Sequence, residues 1–150
     1  MDYYNLEATQ AFLISTKAMI SQPGKLLMLR ISGSDQWELP GGLLEMDEDL
    51  ADGLIREVHE ETGLSVSVGK IVSVWDNRFG AFIVRDGRTL NVRIILIAYL
   101  CSTSESTIKL SHEHDDFRWV PNEELTQINL VTNTREAINA YLQMDSQRGT

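Results

Sequence analysis

The chain has 150 residues, 43% of them hydrophobic, and a formal charge of −9. That is enough apolar material for one domain with a substantial core, and no Pro/Gly/Ser-rich linker divides it, so residues 1–150 read as a single unit. The acidic balance argues against a duplex nucleic-acid binder, which needs Lys and Arg to displace counterions, and the longest apolar run, residues 94–100, is far too short to span a membrane.

The opening stretch MDYYNLEATQ is polar and lacks the basic start of a signal peptide, and Cys101 alone cannot form an internal disulfide, so the expected compartment is a reducing cytoplasm. Residues 11–14 and 26–29 read as paired strands joined through Ser21-Gln22-Pro23-Gly24, where Pro fixes φ and Gly permits a positive one. Trp37-Glu38-Leu39-Pro40-Gly41-Gly42 then leads into a helix that Gly63 stops. Residues 66–75 read as extended, and 79–84 and 90–101 as strands flanking an Asp86-Gly87 turn. These later strands are apolar on both faces, as expected of a sheet covered on both sides. Trp119-Val120-Pro121 reads as a short strand, residues 122–125 as one turn, and 133–144 as a terminal helix with Ala137, Ile138, Tyr141 and Leu142 inward. The pattern is that of an α/β protein, an α/β/α sandwich with a mixed β-sheet.

The helix ahead of Gly63 carries the chemistry. At roughly 100° per residue, Ala51, Leu54, Ile55, Val58 and Thr62 gather on one side, while Glu57, Glu60 and Glu61 gather on another. Carboxylates at i, i+3 and i+4 repel one another, so a cation is wanted there. Oxygen donors select hard cations, and the triad predicts a site for Mg²⁺ or Mn²⁺. The spacing around Gly53 does not fit a calcium loop, because Leu50 would occupy a ligand position; there is no H-E-x-x-H, and one cysteine cannot build a zinc cluster.

Taken whole, residues 42–64 (GLLEMDEDLADGLIREVHEETGL) run Gly, five residues, Glu, seven residues, Arg-Glu, an aliphatic, any residue, Glu-Glu, any residue, Gly and an aliphatic. This segment, opening on Gly42 and closing on Gly63-Leu64, resembles the Nudix box, complete at every defined position. The resemblance implies a Nudix fold over nearly the whole chain and metal-dependent hydrolysis of a pyrophosphate linkage in a nucleotide. Glu57, Glu60 and Glu61 would then be metal ligands joined by the Gly41 carbonyl. Arg56 would fix a neighbouring carboxylate. Glu48 would be an auxiliary ligand or an acceptor behind the ligands, or else an acidic residue favouring the helix dipole from its first turn. Gly53 and Asp47 depart from the family, which often has Ala and Gly there; neither change removes a ligand.

The general base comes, in the family, from the box or from a later loop. Here that loop is Ser111-His112-Glu113-His114-Asp115-Asp116-Phe117-Arg118-Trp119, with Glu113 in the expected place, Asp115 and Asp116 as neighbours, and His112 and His114 read as exposed. Arg30 is a candidate phosphate contact, or a plain strand-end Arg. Trp37, Trp75 and Phe79 could stack on a base, or belong to the core and sheet edge. The subfamily markers for ADP-ribose and for diadenosine polyphosphates are missing from Phe79-Gly80-Ala81-Phe82, so the expected substrate is a nucleoside triphosphate, plain or modified, cleaved to monophosphate and pyrophosphate. The alternatives are an ADP-ribose, nucleotide-sugar or dinucleoside polyphosphate hydrolase, and a Nudix-fold module that senses a nucleotide without cleaving it. A homodimer is allowed by analogy with relatives.

Overall fold

The computed structural model describes residues 10–83, 87 and 89–148, with the backbone alone over 78–83. Phe79 therefore contributes a strand position and no described side chain, and Asp86 lies outside the described residues. Among the described residues there are seven strands, β1 (Gln10–Gln22), β2 (Lys25–Ile31), β3 (Trp37–Glu38), β4 (Gly41–Leu43), β5 (Ser67–Ile83), β6 (Thr89–Ser102) and β7 (His114–Pro121), with helices α1 (Leu50–Thr62) and α2 (Arg135–Arg148). They form one mixed sheet in the order β3-β2-β1-β6-β5, with β4 added to β1 and β7 to β2.

Alternation along the central strands puts a core on each face of this sheet. Ala18, Ile20, Leu27, Leu29, Tyr99 and Cys101 pack against Leu54 and Val58 of α1. Their neighbours in sequence, Met19, Leu26, Met28, Leu96 and Ala98, pack against Ala137, Ile138 and Tyr141 of α2. The α/β/α sandwich with a mixed sheet is thus present, and the inward face expected for the terminal helix is the one it buries. No helix among the described residues is long and apolar enough to cross a membrane.

Two pairings differ from the sequence reading. Residues 11–14 do not pair with β2; they run parallel to β6, and β1 meets β2 only at Ser21↔Leu26 and Gln22↔Lys25 beside a turn in which Gly24 has φ 73°. The strand read as 119–121 begins instead at His114, because the acidic run before it pairs antiparallel with β2 up to Ile31↔His114. Polar residues are tolerated there because their partners lie on the same edge, Arg30 donating to Asp115 at 2.7 Å.

α1 starts after Asp49 and ends at Gly63, whose φ of 74° and N–H bond to the His59 carbonyl make the left-handed cap that the sequence implies. Fully burying Leu54 and Val58 is worth about 1.5–3 kcal/mol each, against a few tenths for each like-charge pair among the glutamates, so packing holds the helix in spite of its acidic face. Gly53 also has a local reason: a Cβ there would lie 2.8 Å from both a Glu48 carboxylate oxygen and a Leu44 methyl.

Candidate functional site

The two glycines ahead of α1 bring backbone and carboxylates together. β4 pairs with β1 through Lys17↔Gly41 and Thr16↔Gly42. Gly41 has φ 139°, and a Cβ on it would sit 2.0 Å from the Thr16 carbonyl oxygen, so only glycine fits. Its N–H donates to Glu61 Oε2 at 3.0 Å. A Cβ on Gly42 would lie 2.5 Å from the Glu57 carboxyl carbon, which means that the Glu57 head group occupies the space a side chain would take.

Electrostatics separate the three glutamates of α1. Glu61 is 4% exposed, and burial pushes its pKa up to about 7, in spite of the Gly41 N–H and the nearby charges of Lys17 and His114. Glu57 is raised too, by burial first, with Glu60 and Glu113 adding repulsion that the Arg56 hydrogen bond does not cancel. Glu60 is the exposed member, reached by Arg56 Nη1 at 3.3 Å. One buried and one half-buried carboxyl held above their ordinary range, with acidic neighbours, make a place where a cation is favoured.

Arg56 organises this group. Its guanidinium donates to Glu48 Oε2 at 2.9 Å, Glu48 Oε1 at 2.7 Å, Glu57 Oε1 at 3.1 Å and the Leu43 carbonyl at 3.3 Å. These bonds, with the Glu45 N–H, hold Glu48 down at about 2. Glu48 thus precedes α1 rather than standing in its first turn, and it anchors Arg56.

From the other side come His114, the first residue of β7, and Glu113 just before it. Oxygens of Glu61 and Glu113 and a ring nitrogen of His114 lie within 4.8 Å of one another. Glu113 is exposed, whereas His114 is 4% exposed, contrary to its reading as a loop surface residue; it is the first residue of β7, turned inward by pairing with Ile31. His114 Nε2 lies 2.8 Å from Glu38 Oε1, and Lys17 Nζ lies 3.8 Å from Glu38 Oε2. Burial opposes ionisation of both Glu38 and His114, yet their contact prevails: Glu38 is lowered and His114 raised. Sequence reasoning missed Lys17 and Glu38. A lone Lys inside the apolar strand LISTKAMIS was the available signal, since lysines are rarely buried without a partner.

Next to Gly42 opens a cleft of about 540 Å³ whose wall includes Leu13, Lys17, Asn77, Ile94 and Asn133. An apolar cavity with a few polar groups suits a flat heterocycle, and Lys17 stands between it and the carboxylates. Neither Arg30 nor Trp37 is in its described wall: Arg30 is engaged by Asp115, and Trp37, partly buried on the α2-side core, lies 6.0 Å from the Arg30 guanidinium. Trp75 is buried in that core.

Comparison with known proteins fits this geometry. The family model for the NUDIX domain matches residues 12–141. A MutT-like protein of Streptomyces ambofaciens is 30% identical over 109 residues, 73% of this chain; the chain spans 63% of that relative's length. A nucleoside triphosphatase, NudI, of Escherichia fergusonii is 32% identical over 108 residues, covering 69% of this chain and 74% of the relative. Among solved structures, a MutT protein from Methanosarcina mazei superposes with a TM-score of 0.71 at 29% identity, over 95% of this chain and 99% of that one. An ADP-ribose pyrophosphatase from Streptococcus suis, at 21% identity and a TM-score of 0.67 over 91% of this chain and 92% of that one, shares the fold.

Proposed function

This chain belongs to the Nudix family and is a Nudix hydrolase, and from that premise we propose that it cleaves a nucleoside triphosphate, plain or modified, to the monophosphate and pyrophosphate with Mg²⁺ or Mn²⁺. The observation that carries the reading is the buried Glu61 carboxyl, fixed on the Gly41 N–H beside Glu113, with the Glu57 carboxyl packed against Gly42 in the wall of an apolar cleft. Nudix hydrolases use divalent metals, and the donor set here, rich in carboxylate oxygens, fits one.

In this proposal Glu57, Glu60, Glu61 and the Gly41 carbonyl hold the metal, which when bound neutralises charge on the phosphate oxygens. Arg56 fixes the Glu57 rotamer and ties it to Glu48. Glu113, exposed beside Glu61, takes the proton from the attacking water. The cleft takes the base, and Lys17 faces the phosphates. Water adds to phosphorus, the bond to the pyrophosphate leaving group breaks, and the reaction needs positioning more than a covalent nucleophile. The intact carboxylate set supports catalysis over nucleotide sensing. The proposed setting is the cytoplasm, where Cys101, its thiol pushed up to about 12 by burial, stays reduced.

The test is product release from a panel of nucleoside triphosphates, ADP-ribose and dinucleoside polyphosphates with Mg²⁺, with and without chelator, for the wild type and Glu61→Gln. Chelator-sensitive pyrophosphate release from a triphosphate, lost in Glu61→Gln, is the expected result. Preference for ADP-ribose overturns the substrate; binding without turnover overturns the hydrolytic reading.

A further inference from the structure

His114 is a buried side chain with one nitrogen unaccounted for. Its side chain is 2% exposed, and Nδ1 is buried with no hydrogen-bond partner among the described residues. Leaving such an atom unpaired is costly, so native structures rarely do it without a reason. The other nitrogen faces Glu38 Oε1 at 2.8 Å, and an ionised carboxylate can only accept. Lys17 at 3.8 Å from the second Glu38 oxygen helps keep that carboxylate ionised. Nε2 therefore carries the hydrogen in the neutral ring, and Nδ1 keeps its lone pair.

We propose that His114 is a nitrogen ligand to the divalent cation held on Glu61: oxygens of Glu61 and Glu113 lie within 4.8 Å of a His114 ring nitrogen and of each other, so the ring joins Glu61 at the cation while Glu113, at its edge, stays free as the base. The inference rests on the metal-dependent reading of this site. A metal-bound histidine usually gives its other N–H to a carboxylate, which sets its tautomer and ring orientation; Glu38 stands in that relation to His114. The backbone holds the ring in place: Ser32 N–H donates to the Glu113 carbonyl at 2.9 Å, Ser32 Oγ donates to the His112 carbonyl at 2.7 Å, and His114 pairs with Ile31. A nitrogen donor among oxygens shifts preference from Mg²⁺ toward Mn²⁺ and later transition ions, because imidazole suits them better than it suits magnesium.

The experiment uses the full chain with Mn²⁺ alone at pH 8 and reads nitrogen hyperfine coupling by pulsed electron paramagnetic resonance. Protein labelled with ¹⁵N-histidine should show a coupling that changes from that of unlabelled protein. The chain has three histidines. The double variant His59→Gln with His112→Gln should retain the coupling, and His114→Gln should lose it while its preference for Mn²⁺ over Mg²⁺ narrows by about tenfold or more. If His114→Gln does not fold, the labelled wild type and the double variant still decide. Bound Mn²⁺ with no histidine coupling overturns the inference, as does a coupling that disappears with His59 and His112, or no Mn²⁺ bound at millimolar concentration. Triphosphate hydrolysis without histidine coupling overturns this inference alone; coupling without hydrolysis overturns the proposed activity alone.

Discussion

Replacing Gly42 by Ala tests whether the position of one carboxylate matters to this site. The added methyl would lie 2.5 Å from the Glu57 carboxyl carbon and 2.6 and 2.7 Å from its oxygens, where ordinary contact begins at 3.4 Å. The carboxyl must therefore retreat by about 0.9 Å, the difference between 3.4 and 2.5 Å. Gly42 is not among the glycines with positive φ, so its backbone accepts Ala without strain, and the atom that gives way is the far end of a flexible side chain. A misplacement of about 1 Å at a reacting site costs on the order of 10²-fold in rate. Gly42→Ala should thus lower kcat/KM for triphosphate hydrolysis by about two orders of magnitude and weaken Mn²⁺ binding, while Tm stays within about 4 °C, equivalent to about 1 kcal/mol for a chain of this size. Gly41→Ala is the contrast, since a Cβ 2.0 Å from a backbone oxygen at φ 139° should prevent native folding. Wild-type turnover and Mn²⁺ affinity in Gly42→Ala, or a collapse of Tm like that of Gly41→Ala, would refute the assignment of Glu57.

Arg56→Met should reduce kcat/KM by about 10- to 100-fold through loss of carboxylate positioning. It should also change acid stability: Glu48, depressed from 4.5 to about 2, stabilises the fold above pH 4.5 and loses that effect as pH falls through about 2, a slope that urea unfolding should find flattened in the variant. Glu61 has the opposite sign, because its pKa is raised from 4.5 to about 7; its contribution in metal-free protein is full below pH 4.5 and lost as pH rises through about 7. Glu61→Gln should remove that decline, and calorimetry of Mn²⁺ binding at pH 6 in two buffers should show more proton release in the wild type than in the variant. Lys17→Met removes a cation that favours the ionised form of Glu61, so the pH at which half-maximal Mn²⁺ affinity is reached should move upward; an unmoved profile would exclude electrostatic coupling between the two.

Much of the acidic helix was legible because it is local. The spacing of Glu57, Glu60 and Glu61 against Leu54 and Val58 is fixed by the helix period, and the left-handed stop at Gly63 is a one-residue property. The two-sided core was legible for the same reason, since alternate residues such as Met19 and Ala18 face opposite ways whatever the partner. Pairing was less so: residues 11–14 carry no mark that says their neighbour is β6, some eighty positions on, rather than β2.

The sequence by itself determined that an acidic helix face follows a Gly-Gly turn, because helical periodicity and glycine geometry act over a few bonds. Only the tertiary structure decided that Glu61 is buried on the Gly41 N–H, that Glu57 fills the space above Gly42, that Glu48 lies over Gly53, and that Lys17, Glu38 and His114 converge from three strands. Those contacts depend on strand register and on which face each strand turns inward, and a change of one residue in register would send His114 to solvent.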